Sequence, residues 1–125
     1  MSDQVFVYGT LKQGGGNHRF IAGKYTKCRP AAAHGVLFDL GAFPAAWFEG
    51  DGFLYGEVFE FEDVSAVLPA LDRLEGHPTF YKRKRIPLFD LETLEPDGTD
   101  AWAYEYLQKL GEERCIPSGI WEKSR

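Results

Sequence analysis

Apolar and polar positions along this chain follow two rhythms, and the change from one to the other locates its elements. Val5-Phe6-Val7 is a continuous apolar run, the pattern of a strand buried on both faces, and the glycines that follow it break the pattern. Asn17 stands where it can cap a short helical turn from His18 to about Ala22. Leu37 to Leu40 and Phe53 to Phe61 carry β-type residues among Gly35, Gly41, Gly50, Gly52 and Gly56, which predicts strands that bend sharply.

The rhythm then becomes helical. Val64, Val67, Leu68, Leu71 and Leu74 share one helical face, with Asp63 or Ser65 placed to cap its start. Pro69 fits only near that start, where its missing N–H has no intrahelical partner to lose. Gly76 is the natural stop, so Glu75 falls on or beside the last turn. From Tyr81 to Leu94 the chain predicts a long strand, then a turn at Pro96-Asp97-Gly98. Trp102, Tyr104 and Tyr106 alternate on the returning strand, giving a hairpin with an aromatic face. Residues 116–121 read as irregular, and the charged end beyond them as a segment that frays. One substantial helix among about six strands is the α+β class, and the curvature favours closure of the sheet.

At 125 residues and 44% hydrophobic composition, the chain has the size of one domain, 1–125, with a core of its own. Its net charge of -5 argues against nonspecific nucleic-acid binding and against an anionic membrane surface. The single basic run, Lys82-Arg83-Lys84-Arg85, lies in an alternating strand pattern and reads as a solvated face with paired charges. Cys28 and Cys115 match no metal or redox spacing, no apolar run is long enough for a bilayer, and no signal-like segment opens the chain; a cytoplasmic location is expected. His18, His34 and His77 share no ligand spacing, so no metal site is expected. A serine elbow and a phosphate-binding lysine loop are both missing.

Two segments remain as candidate chemistry. A glutamate at a helix C-terminus meets the negative end of the helix dipole, and any burial adds desolvation; both raise its pKa toward neutrality, as a general acid/base requires. The alternative is that Glu75 is a surface residue paired with Arg73 or a nearby lysine. In the first loop, the amides of Gly9, Thr10 and Leu11 either converge into an anion-binding concavity or belong to a plain tight turn.

The blocks Val5-Phe6-Val7-Tyr8-Gly9-Thr10-Leu11-Lys12, Gly41-Ala42-Phe43-Pro44-Ala45, Gly56-Glu57-Val58-Phe59 and Leu71-Asp72-Arg73-Leu74-Glu75-Gly76 with Tyr81-Lys82-Arg83 resemble the γ-glutamylcyclotransferase-like family. They run in the family's order across most of the chain. The resemblance implies a small closed mixed β-barrel with one main helix packed on it, and conversion of a γ-glutamyl amide or γ-glutamylamine to 5-oxoproline plus free amine, with no metal or cofactor. The family's catalytic glutamate falls on Glu75, and its substrate loop on Tyr8, Gly9, Thr10 and Leu11. Thr10 with the polar Lys12-Gln13 is similar to the γ-glutamylamine and bacterial branches rather than the glutathione-specific one. Trp121 stands where some relatives place a tyrosine against substrate, and Tyr81 either lines the pocket or fills the core. The expected partner is a small γ-glutamyl molecule; the leaving amine and the oligomeric state stay open. Two other readings are a non-catalytic small-molecule binder of the same fold, and an interaction module whose Trp102, Tyr104 or Tyr106 would be solvent-exposed.

Overall fold

The computed structural model describes residues 3–108, 110–111 and 114–122. Seven strands and one α-helix form in the order β1 (Asp3–Val7), β2 (Lys27–His34), β3 (Val36–Asp39), β4 (Pro44–Trp47), β5 (Phe53–Phe61), α1 (Leu68–Glu75), β6 (Tyr81–Phe89) and β7 (Pro96–Tyr106). Five strands close a barrel in the order β1-β5-β2-β6-β7, while β3 and β4 form a separate hairpin. All neighbouring barrel strands are antiparallel except β1 and β7, whose parallel contact at Val5 and Trp102 makes the barrel mixed.

A five-stranded barrel has little interior room, so side chains must be small wherever large ones already fill it. Ala31 and Ala33 of β2 and Ala101 and Ala103 of β7 share one buried cluster with Phe6, Tyr8, Leu54, Val58, Ile86 and Leu88. Alanine is a poor strand former by propensity, and so the sequence pattern does not announce β2 or β4; packing inside the barrel overrides propensity there. Pro30 is tolerated because β2 meets β6 only at Ala32 and Phe89, leaving Pro30 on an exposed stretch paired on one side.

The alternate positions point to the other side. Val5, Val7, Phe59, Phe61 and Tyr104 form a second buried cluster with Val67, Leu68 and Leu71, so α1 covers the outside of the barrel. The helix begins as its proline requires, with Pro69 in the first turn. Asp63 accepts a hydrogen bond from the Ser65 amide at 3.2 Å and caps a 3-10 turn, Val64–Ala66, that leads into α1. At the other end Gly76 adopts φ 67°, ψ 34°, the left-handed conformation that ends a helix, and the His77 amide returns to the Asp72 carbonyl at 2.9 Å.

The structure departs from the sequence expectations at several points, beginning with α1, which starts at Leu68 with Val67 at its head and no side-chain cap, while Asp63 caps the separate turn before it. β6 ends at Phe89 rather than Leu94, and Pro96-Asp97-Gly98 belong to β7. The turn lies between them because the Asp90 carboxylate accepts from the amides of Glu92 and Thr93, at 2.9 and 3.0 Å, while the Asp90 amide donates to the Glu95 carbonyl. Asn17 stands at the head of a 3-10 turn, His18–Phe20, but makes no side-chain cap bond. The aromatic face of the last hairpin is covered: Tyr104 is buried under α1, and Trp102 lies half-buried against the Arg83 and Arg85 guanidiniums at 4.8 and 4.9 Å. Three residues of the basic run are paired, Arg83 to Asp72, Lys84 to Glu105, and Arg85 to Asp3 and Asp100. Cys28 and Cys115 are both free thiols. Residues 116–122 follow no helix or strand, and the charged end, 123–125, lies outside the described residues.

Asp72 fastens α1 to the barrel. Its two oxygens accept from Arg83 Nε and Nη2 at 3.0 and 3.1 Å, and Oδ1 also accepts from the Tyr104 hydroxyl at 2.6 Å. Burial alone would raise its carboxyl pKa, but the Tyr104 hydroxyl and the Arg83 guanidinium outweigh it and hold the group below the usual carboxylate range. A carboxyl whose pKa is lower folded than unfolded stabilises above its unfolded value and loses that contribution as pH falls through the folded one. Asp72→Asn is therefore expected to cost on the order of 1–2 kcal/mol at pH 7 and progressively less below about pH 4. Urea denaturation of both proteins across that range checks it; a difference independent of pH would contradict the assignment.

Candidate active site

At the end of β1 the chain leaves the barrel as a tight loop whose polar groups divide into used and unused. The Lys12 amide donates to the Gly9 carbonyl at 3.0 Å, and the Asn17 amide to the Thr10 carbonyl at 2.9 Å. The Leu11 carbonyl lies 2.9 Å from His18 Nδ1; a carbonyl only accepts, so that nitrogen carries the proton. Lys12 Nζ donates to the Trp121 carbonyl at 2.8 Å, and Glu57 accepts from the Gln13 amide at 2.8 Å. These bonds fix the carbonyl side of the loop. The amides of Gly9, Thr10 and Leu11 have no acceptor among the described residues. Gly9 also admits a close neighbour: a β-carbon there would stand 2.6 Å from Pro44 Cγ, so only glycine lets the β3–β4 hairpin close on the loop.

The residues that carry those amides line a cavity of about 380 Å³, whose walls include Tyr8, Gly9, Thr10, Leu11, Asn17, Phe43, Pro44, Leu74, Glu75, Tyr81 and Tyr104. Each wall comes from a different element. β1 and its loop supply one side, the β3–β4 hairpin brings Phe43 and Pro44, the last turn of α1 brings Leu74 and Glu75, and β6 and β7 contribute the tyrosines.

Glu75 is half-buried on this wall, and no donor among the described residues reaches its carboxylate. Burial pushes its pKa up to about 7. The C-terminal end of α1 acts in the same direction, because unpaired helix carbonyls disfavour a second negative charge. The surrounding hydroxyls are engaged elsewhere: Tyr8 donates to the Tyr104 carbonyl at 2.7 Å, Tyr81 to the Pro44 carbonyl at 2.9 Å, and Tyr104 to Asp72. Burial raises all three phenols, with the Glu75 charge adding to it, so they stay protonated. A carboxyl that gains or loses its proton near neutrality thus lies in one apolar cavity with three unused backbone donors.

Of the residues proposed from sequence, Tyr8, Gly9, Thr10, Leu11, Tyr81 and Glu75 line this one cavity. Tyr81 does both things open to it, since it is buried and also forms part of the wall. Trp121 is not among the residues that line the cavity; it packs in the cluster of Phe6, Tyr8 and Leu37, and its carbonyl accepts from Lys12 of the loop. The sequence reading did not name Asn17, Phe43, Pro44 or Tyr104 as site residues. Phe43 was the legible one, an apolar residue in Gly41-Ala42-Phe43-Pro44 at what proves to be the tip of a hairpin, where it remains exposed.

The Glu75 pKa has a measurable effect on folding. A carboxyl whose folded pKa exceeds its unfolded value makes the native state bind more protons between the two, so stability falls as pH rises across that window. Relative to Glu75→Gln, wild type is expected to lose on the order of 2 kcal/mol between about pH 4.5 and pH 7, with no further change above about pH 8. Urea unfolding of the two proteins at several pH values decides this; parallel curves would mean that Glu75 titrates normally.

Comparison with known proteins identifies the family and the fold. Residues 5–123 match the model of the family described as gamma-glutamyl cyclotransferase, AIG2-like. A Vibrio cholerae protein whose name assigns it only provisionally to the gamma-glutamylcyclotransferases is 34% identical over 126 residues, covering 97% of this chain and 96% of its own. The gamma-glutamylcyclotransferase family protein YtfP of Escherichia coli is 30% identical over 118 residues, covering 94% and 95% respectively. A crystal structure of an AIG2-like protein from Mus musculus superposes with a TM-score of 0.73 at 20% identity, over 97% of this chain and 88% of that one, and so shares the fold. This chain belongs to the AIG2-like γ-glutamyl cyclotransferase family.

Proposed function

We propose that the protein is a γ-glutamyl cyclotransferase that converts a γ-glutamyl amide or γ-glutamylamine to 5-oxoproline and free amine, with Glu75 as general acid/base. The observation that carries this reading is that a carboxyl with a pKa of about 7 and three residues whose amides have no acceptor line the same cavity, none of these groups having a hydrogen-bond partner among the described residues. A γ-glutamyl arm supplies what each lacks. Its α-carboxylate is an acceptor for the amides of Gly9, Thr10 and Leu11, and its α-ammonium is a proton source for Glu75.

The reaction balances without a co-reactant. The α-amine nitrogen attacks the γ-carbonyl carbon, closing a five-membered ring, and the bond from that carbon to the amide nitrogen breaks. Glu75 takes a proton from the attacking amine and delivers one to the departing nitrogen, so the enzyme ends as it began. Because attack is intramolecular, much of the rate comes from holding the arm in its folded, ring-closing conformer, which is work for shape and hydrogen bonds. The largely apolar and tyrosine walls offer a competing water few polar partners beside the γ-carbonyl, and the tethered amine is favoured over it by proximity. The chemistry as written calls for no metal or redox group.

The test is 5-oxoproline release from γ-glutamyl amino acids, γ-glutamyl-ε-lysine and glutathione, with wild type and Glu75→Gln in parallel. Wild type is expected to turn over at least one substrate, with kcat rising through about pH 7 as Glu75 loses its proton, and Glu75→Gln to lose roughly 10²–10⁴-fold in kcat while still binding. Binding by wild type without product would replace this reading with that of a non-catalytic binder.

A further inference from the structure

Asn17 forgoes the role its position offers. It stands at the head of the His18–Phe20 turn, yet its φ of -106° and ψ of 6° are not the extended conformation of a capping residue, and its side chain makes no cap bond. Its carboxamide turns back across the loop instead, donating from Nδ2 to Thr10 Oγ1 at 2.8 Å, while its amide donates to the Thr10 carbonyl at 2.9 Å. Asn17 thus grips a single residue of the loop twice, and both Asn17 and Thr10 are half-buried in the wall of the cavity.

A hydroxyl has one proton to donate and two lone pairs that accept. With one lone pair of Thr10 Oγ1 engaged by Asn17, and no acceptor for its proton among the described residues, that proton is the polar valence left to point at a ligand. We infer that Asn17 is a positioning residue: by donating to Thr10 Oγ1 it sets that hydroxyl as a fourth donor beside the amides of Gly9, Thr10 and Leu11, aimed at the carboxylate held by the loop. The inference rests on the cyclotransferase reading for the identity of that carboxylate, the α-carboxylate of the glutamyl arm, which 5-oxoproline retains as its only carboxylate.

This role has signatures that simple support of the loop lacks. Removing the donor, in Asn17→Ala, is expected to raise KM for a γ-glutamyl substrate about tenfold with kcat changed less than about threefold. Asn17→Asp is expected to be worse, because a carboxylate accepts the Thr10 proton and turns it away from the ligand. Thr10→Val removes the hydroxyl at nearly constant volume and is expected to reproduce Asn17→Ala, while Thr10→Ser, which keeps the hydroxyl, is expected to recover most of the affinity that Thr10→Val loses. The double variant Asn17→Ala/Thr10→Val should be no worse than the poorer single variant, since both remove the same donor.

The experiment is a steady-state comparison of these proteins, joined to a titration of ¹⁵N-labelled protein with 5-oxoproline that follows the Gly9, Thr10 and Leu11 amide resonances. Thermal unfolding of each variant confirms that it is folded. Coupled KM effects with a matching loss of 5-oxoproline affinity support the role. Additive effects, an unchanged KM in Asn17→Ala, or equal affinity of Asn17→Ala and wild type for 5-oxoproline would overturn it. Wild type that makes no product, yet binds 5-oxoproline through a contact that weakens in Asn17→Ala, would retain the Asn17 role and remove the catalytic reading. Wild type that neither turns over nor binds would remove both.

Discussion

The rest of the site depends on one constraint: a carboxyl must be held in an apolar wall with no hydrogen-bond donor of its own. Desolvation of that kind opposes ionisation, and a free side chain would escape it by turning to water or to a cation. Glu75 is held because its backbone is the last turn of α1, fixed on one side by the buried Leu68 and Leu71 and on the other by the left-handed turn at Gly76. The carboxyl is tuned by the rigidity of its support rather than by a partner.

Asp72 shows how local that tuning is. It precedes Glu75 by three residues on the same helix, which places the two carboxyls on neighbouring parts of one face. Asp72 meets the Arg83 guanidinium and the Tyr104 hydroxyl and is held below the usual carboxylate range, while Glu75 meets side chains that give it no hydrogen bond and is raised to about 7. The first clamps the helix to the barrel and the second is left free to titrate. Burial acts on both, and hydrogen bonding to the charged form decides the difference.

This division explains what could be read from sequence. The helix, its proline, its glycine stop and the position of Glu75 at its end follow from local rules of capping and periodicity, and each reappears in α1. Phe53–Phe61 reads as a strand for the same reason. The alanine strand Lys27–His34 does not, because its side chains are small only to fit an interior that no local window describes. The turn before β7 was misplaced because Pro96-Asp97-Gly98 carries the stronger turn composition, whereas the turn at Asp90 depends on one carboxylate accepting two amides. At the site, the loop residues stand together in sequence and were legible as a group. Asn17 looked like a cap, and its actual partner, Thr10, is a loop residue that only the fold brings within reach. Trp121 packs among Phe6, Tyr8 and Leu37, and its carbonyl accepts from Lys12 of the loop, a placement that depends on the folded tail and not on local sequence.

The pattern of used and unused groups in the first loop extends the argument. Amides left without acceptors are costly, and a loop free to relax would fold them onto its own carbonyls. Here the carbonyls of Gly9, Thr10 and Leu11 are already taken by the Lys12 amide, the Asn17 amide and the His18 ring, and Lys12 and Gln13 are tied to Trp121 and Glu57. Relaxation would have to break those bonds to satisfy the amides, so the donors stay without an acceptor among the described residues while their residues line the cavity. Under the cyclotransferase reading, the same device serves both ends of the glutamyl arm. The loop keeps unsatisfied donors for a carboxylate, the helix end keeps an unsatisfied carboxyl for an amine, and a substrate that brings both partners at once is bent into the conformer that closes a five-membered ring.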